Sequence, residues 1–458
     1  ARAARPKMKV IVVDPRRTDT AEIADLHLQI QPGTDVLLFN GLLHIMLWEG
    51  WTDPAYIAAH TSGFEALKAR VRDCTPEHVA QVCGVQREDL LTAARWFALG
   101  NGSDAANRGP TLSLYCQGLN QSSSGTAKNA ALVNLHLATG QIGRAGAGPF
   151  SLTGQPNAMG GREVGGLANQ LAAHMEIENA DHRALVQEFW ASPFMPDRPG
   201  LKAVDMFRAV ADGRIKAIWI MGTNPVDSLP DADRVAAALA ACPFVVVSDV
   251  VAQTDTTKYA HVLLPAQAWG EKDGTVTNSE RRISRQRALR PPSGEAMPDW
   301  WALASVARRM GFAHAFDYSG PAAVFREHAA LSGYRNRGAR AFDISALADV
   351  SDAAYRALAP FQWPWRAGEP ASAAPKRMFG DGRFVTADGR ARLIATPFRG
   401  LAGRKGERCE FVLNTGRIRD QWHTMTRTGV AARLSEHIAE PFAEINPQDA
   451  ERLGVSPA

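Results

Sequence analysis

Ala217-Ile218-Trp219-Ile220-Met221-Gly222-Thr223-Asn224-Pro225 is an unbroken apolar run that enters a Gly/Thr/Asn/Pro turn without any polar alternation. Such a run predicts a strand buried on both faces, with polar groups gathered just past its carboxyl end. An amphipathic helix is predicted to follow over 231–241. The pattern recurs: residues 9–13 run into Asp14-Pro15-Arg16-Arg17-Thr18, residues 244–247 into Ser248-Asp249, and residues 262–264 stop at Pro265. Apolar strands alternating with helices predict an α/β fold, doubly wound parallel sheets in two lobes, with ligands at the carboxyl ends of the strands. Further helices are predicted over 35–49, over 127–139 with Gly140 at the C′ position, and over 299–310 with Asp299 as N-cap. Residues 312–380 lose periodicity and gather Pro, Ala and Gly, which predicts an irregular connection rather than core. Residues 410–414 read as a strand that opens a further domain. The expected domains are 1–165 and 166–330 as the two lobes, 331–405 as the connection, and 406–458 as the start of a β-barrel-like cap.

Composition narrows the function. A length of 458 residues suits about three domains at roughly 150 residues each. Hydrophobic residues at 45% and charged residues at 21% exclude global disorder. Lys plus Arg number 51 against 47 Asp plus Glu, a surplus too small to suggest a nucleic-acid partner. The most apolar stretch, 36–48, contains Asn40, Gly41 and His44 and is too short for a bilayer, and no signal-peptide pattern opens the chain, so no membrane association is expected. Cys74, Cys83, Cys116, Cys242 and Cys409 form no C-x-x-C pair; they read as free thiols of a reducing compartment, and a cytoplasmic location is expected. No nicotinamide-type glycine fingerprint follows a predicted strand, and P-loop, zincin and nucleophile-elbow motifs are absent. Histidines are dispersed, and one such as His136, on an apolar helix face, reads as core.

What remains is a set of polar clusters at strand ends. Asp14-Pro15-Arg16-Arg17-Thr18 sets a carboxylate beside two guanidinium groups, which can grip phosphate while the carboxylate takes N–H or hydroxyl donors. A solvated turn with local Arg–Asp pairing is the alternative. Gly33-Thr34-Asp35 opens a helix where free backbone N–H groups favour an anion, or where Thr34 or Asp35 simply caps. Ser248-Asp249 repeats the strand-end carboxylate, and Lys272 lies in the Gly-bounded loop Trp269-Gly270-Glu271-Lys272-Asp273-Gly274. Together they predict a large nucleotide-like ligand along a sheet edge.

The order of these segments resembles the catalytic subunits of molybdopterin oxidoreductases of the dimethyl sulfoxide reductase family. Val12-Val13-Asp14-Pro15-Arg16-Arg17-Thr18, Met221-Gly222-Thr223-Asn224-Pro225 and Asn278-Ser279-Glu280-Arg281-Arg282 carry the likeness. Residues 148–165, with Gln155-Pro156-Asn157 and Gly161-Arg162-Glu163-Val164-Gly165, and Thr415-Gly416-Arg417 with Gln421-Trp422-His423-Thr424, look most like assimilatory and periplasmic nitrate reductases. The resemblance implies molybdenum held by two molybdopterin guanine dinucleotides. It places Asp14, Pro15, Arg16, Arg17, Thr18, Gly33, Thr34 and Asp35 on one dinucleotide, and Asn224, Ser248, Asp249, Lys272 and Asp299 on the other. Gln117 and Gln121 are expected near the pterins, and Thr415, Gly416, Arg417, Trp422, His423 and Thr424 in the stretch that closes over the cofactor. It also implies a 4Fe-4S cluster and a cysteine ligand to the metal in an N-terminal segment; no cysteine precedes Cys74. The sequence therefore reads as a fragment without a metal ligand of its own and without turnover by itself.

For the full-length protein the resemblance implies reduction of nitrate to nitrite with an electron-donor protein or domain as partner. Arg162 is the expected catalytic residue, because a guanidinium matches a planar oxyanion bidentately; an ion pair with Glu163 or Glu176 is the alternative. Met159 either shapes the substrate funnel or packs in the core. Two other functions stay open: a formate dehydrogenase-type enzyme, and a binding module that holds a nucleotide without redox chemistry.

Overall fold

The computed structural model describes residues 4–5, 7–371, 377–401 and 411–456. The chain forms two compact units, one built from Ala1–Arg198, Gly274–Arg285 and Gly320–Leu413, the other from Pro199–Asp273, Gln286–Ser319 and Asn414–Ala458. Among the described residues the sheets are short, mostly parallel and open, and none closes into a barrel.

In the first unit the helix Asp35–Trp48 is apolar nearly all round, and it is buried accordingly among the helices Pro76–Cys83, Arg87–Leu99 and Gly125–Ala138. Leu38, Leu43 and Met46 are fully buried in it, each contributing about 1.5–3 kcal/mol relative to exposure. Gly41 permits the close approach of the helix Pro76–Cys83: a Cβ there would meet Val79 Cγ2 at 2.6 Å. Two parallel pairs flank this core, Ile11–Val13 with Leu26–Leu28 and Leu112–Tyr115 with Gly148–Ser151. His136 is fully buried and hydrogen-bonds Ser113 Oγ through Nε2 at 2.7 Å.

A second core in the same unit corrects the expectation for residues 312–380. They form the helix Pro321–Gly333 and supply Phe325, Leu331, Phe342, Tyr355 and Trp363 to a buried cluster with Met175 and Ile283. Phe342 and Trp363 pack edge-on at 5.5 Å. Much of this core comes from segments between regular elements, which leave no periodic trace in sequence.

The second unit holds the strand predicted over 217–221. Ala217–Met221 pairs in parallel with Phe244–Asp249, which pairs in parallel with Val262–Pro265. The register aligns Met221 with Ser248 and Asp249 with Pro265, so the three carboxyl ends emerge level. Ile218, Ile220, Val245 and Val247 pack against Leu239 of the helix Ala232–Ala241 and Phe207 of the helix Ala203–Ala211. Asp299 is the first residue of its helix, Asp299–Ala307, rather than the cap; Pro298 occupies that position, and Gly311, at φ +98°, follows where the regular helix has ended. The strand expected over 410–414 is not formed at Phe411–Asn414; from there the chain runs through turns and the short helices Ala432–Ser435 and Pro447–Leu453, and residues 402–410 lie outside the described set. No helix among the described residues is long and apolar enough to cross a membrane.

Candidate functional site

The level strand ends of the second unit bring Asn224, Ser248 and Asp249 to one edge. Asn224 is buried, and its Oδ1 accepts from Thr256 Oγ1 at 2.6 Å and Thr256 N at 3.1 Å. These two bonds fix which way the amide points and leave Nδ2 buried without a partner. Asp249, 8% exposed, accepts the Val250 and Val251 N–H groups on Oδ1 alone, at 2.6 and 3.3 Å. Ser248 Oγ accepts from Trp219 Nε1 at 2.8 Å, which leaves its O–H to donate. Lys272 Nζ and Asp299 Oδ2 meet at 2.6 Å, each partly exposed, so these two expected ligand residues pair with each other.

In the first unit Asp14 follows its strand directly. Its Oδ1 accepts the Arg16 N–H at 2.8 Å, and its carbonyl bonds His27 Nε2 at 3.0 Å, while the Pro15 carbonyl accepts from Gln29 Nε2 at 3.0 Å. Thr18 caps the short helix Asp19–Glu22, and the exposed Arg17 has no hydrogen bond or ion pair to any described residue. The Gly33–Asp35 turn is less open than its sequence suggests. Gly33 sits at φ +86° and a Cβ would strike Leu401 Cδ2 at 2.5 Å. Thr34 Oγ1 donates to the Gln31 carbonyl, and Asp35 makes a buried ion pair with Lys128 Nζ at 2.8 Å. Lys128 Nζ also donates to the Gly118 carbonyl, in the one-turn helix Gln117–Asn120. Gln117 lies within 3.4 Å of Gln155 through its amide, and Gln121 is exposed.

Arg162 opens onto a cleft of about 440 Å³ lined by residues 149–151 and 153–159, Arg162 itself and Thr277–Ser279. It lies on the helix Ala158–Glu163, and its side chain forms no ion pair or hydrogen bond with a described residue; the Glu163 and Glu176 pairings are not made. Its charge reaches two neighbours. The Tyr115 hydroxyl is pushed up by burial with Arg162 opposing, and His174 is pushed down by burial and then by Arg162. Met159 lines the cleft and also packs against the second core. Arg417 stacks over Trp422 at 5.2 Å, Trp422 meets His423 edge-on at 4.5 Å, and Thr415 and Gly416 are exposed; Thr424 is half-buried. No group of three or more His, Cys, Asp or Glu side chains that could hold a metal occurs among the described residues. Cys74, Cys83, Cys116 and Cys242 are free thiols, and burial raises the Cys83 thiol to about 11.

Thr256 and Thr277 have no signal in the sequence, which offers Glu163 only as an ion-pair partner for Arg162. Thr256 and Thr277 are ordinary loop and strand residues until folding sets them against Asn224 and Glu163.

The fold defines an α/β protein with polar groups presented at the carboxyl ends of parallel strands. Residues 1–309 match the family model for molybdopterin oxidoreductase, and residues 411–457 match that of the molybdopterin dinucleotide binding domain. The chain belongs to the molybdopterin oxidoreductase family. It is 50% identical to a nitrate reductase of Klebsiella oxytoca over 99% of this chain and 50% of that protein. A nitrate reductase of Shewanella frigidimarina is 47% identical over 98% of this chain and 47% of its own. The chain thus spans about half the length of these curated relatives. Acetylene hydratase from Pelobacter acetylenicus shares the fold, with a TM-score of 0.62 at 18% identity, covering 98% of this chain and 62% of that one.

Proposed function

We propose that the full-length protein is a nitrate reductase catalytic subunit that converts nitrate to nitrite in the cytoplasm, taking electrons from a donor protein or domain. The single observation that carries this reading is Arg162: a guanidinium without an ion-pair partner among the described residues, at the wall of a cleft otherwise rich in neutral polar groups. Identity with nitrate reductases over nearly the whole chain supports the choice of oxyanion.

The cofactor of this reading is molybdenum with two molybdopterin guanine dinucleotides, joined in the full-length protein by a 4Fe-4S cluster. The residues fit such a dinucleotide. The orphaned Asn224 Nδ2 is a donor for a phosphate or carbonyl oxygen, and the second oxygen of Asp249 is an acceptor for guanine N–H groups. Arg17, Arg16 and the Asp14 turn are the matching contacts for the other dinucleotide, with Gln117 and Gln121 toward the pterins. When bound, the cofactor supplies two electrons, so that one N–O bond of nitrate breaks, nitrite leaves, and the oxygen departs as water after taking up two protons. Arg162 binds nitrate through its planar fork and orients it, while Gln155, Asn157 and Asn278 line the cleft as neutral hydrogen-bonding groups.

The test is purified full-length holoenzyme assayed with a reduced viologen. Nitrite formation with stoichiometric molybdenum and guanine supports the reading. Formate oxidation without nitrate reduction favours the formate dehydrogenase alternative, and nucleotide content without molybdenum favours a non-redox binding module.

A further inference from the structure

Both ends of the helix that carries Arg162 are tied to one residue. Asn157 Oδ1, at the cap, accepts the Thr277 N–H at 2.8 Å, and Glu163 Oε2, at the last turn, accepts from Thr277 Oγ1 at 2.7 Å. The other carboxylate oxygen, Oε1, accepts from Trp363 Nε1 at 2.7 Å, and the Glu163 carbonyl accepts the Ala173 N–H at 2.7 Å. The packing is close: a Cβ on Gly160 would lie 2.1 Å from Asn157 Oδ1.

Glu163 is 2% exposed and both its side-chain partners are neutral donors. Burying a carboxylate without a cation is costly, and here burial lifts its pKa to about 6 against the two hydrogen bonds. A filler at this point would be cheaper without charge. What the carboxylate adds is two divergent acceptors that hold an O–H and an N–H from separate segments. One of those segments, Thr277–Ser279, is itself a wall of the Arg162 cleft.

We propose that Glu163 is the positioning residue of this cleft: by joining the Arg162 helix to Thr277 and Trp363, its carboxylate sets the guanidinium against the Thr277–Ser279 wall and so fixes the oxyanion geometry accepted there. The inference rests on the reading of Arg162 as the nitrate-binding residue. Glu163 touches no substrate and acts only through Arg162 and Thr277.

The experiment compares Glu163→Ala, Glu163→Gln and Thr277→Val in the full-length holoenzyme. Glu163→Ala raises the KM for nitrate about tenfold with kcat within about twofold, and molybdenum content is unchanged. Amide hydrogen exchange accelerates together in residues 157–165 and 275–281 and not elsewhere. Glu163→Gln returns both readouts most of the way, because its oxygen accepts from Trp363 and its amide donates to the Thr277 hydroxyl. Should Glu163→Ala fail to fold, Thr277→Val removes one tether alone and shows the same paired exchange and a smaller KM rise. Unchanged exchange in both segments, or loss of molybdenum in place of the KM effect, overturns the proposal. Arg162→Ala with normal KM overturns the nitrate reading instead, and leaves the exchange result standing.

Discussion

Replacing Lys128 by methionine tests a buried ion pair of the first unit. Lys128 Nζ sits 2.8 Å from Asp35 Oδ2, with side-chain exposures of 7% and 13%, so solvent screens the pair little. Removing one member of such a pair strands the other charge, at about 3–5 kcal/mol. Asp35 is the first residue of its helix, where the backbone dipole offsets about 0.3–1 kcal/mol of that. The expected loss is therefore about 2–4 kcal/mol, read as a lowered midpoint in urea unfolding followed by tryptophan fluorescence. The double variant Asp35→Leu/Lys128→Met removes both charges and is predicted to recover most of the loss. A cost below about 1 kcal/mol for Lys128→Met, or a double variant as unstable as the single one, refutes the buried-pair argument.

Asn224→Asp in the full-length protein keeps the two Thr256 bonds but replaces the orphaned donor with an acceptor, so guanine and molybdenum content fall together, and the buried carboxylate also lowers the unfolding midpoint. Equal cofactor content in the variant removes Asn224 from the binding site. Burial drives the His136 pKa down to about 3 from 6.5. The unfolded chain then binds the proton more tightly, and stability that is complete above pH 6.5 is lost as pH falls toward 3. Glu163 works the other way, since its raised pKa favours the folded state below the ordinary carboxylate range and that contribution fades as pH rises through about 6. Unfolding midpoints measured from pH 7 to pH 4.5 show the His136 slope as a loss that His136→Gln reduces; an unchanged slope in that variant refutes the assignment.

The strands of the second unit were legible because they are local and continuous: residues 217–221 match the observed strand end to end, and the 244–247 run extends only to Asp249. Position at a strand end marked Asn224 and Asp249 as candidates, but the direction of the Asn224 amide depends on Thr256, far along the chain. Thr34 and Asp35 show the converse. A helix start predicts an anion site, whereas the fold turns Asp35 onto Lys128. Sequence left Arg162 and Glu163 as a possible pair; tertiary bonds from Thr277 and Trp363 take the carboxylate and leave the guanidinium to the cleft. Phe342 and Trp363 were unreadable as core because the segments that bury them carry no helical or strand period.

Steady-state kinetics of Arg162→Lys in the full-length holoenzyme separates the claim that Arg162 binds nitrate from a role in holding the cofactor. Lysine keeps the charge at the cleft wall but loses the planar fork, so the KM for nitrate rises while molybdenum content stays at the wild-type level. Arg162→Ala lowers kcat/KM further, again with the cofactor retained. A variant that loses molybdenum yet shows normal kinetics in the remaining holoenzyme contradicts the claim and makes Arg162 a cofactor or folding residue.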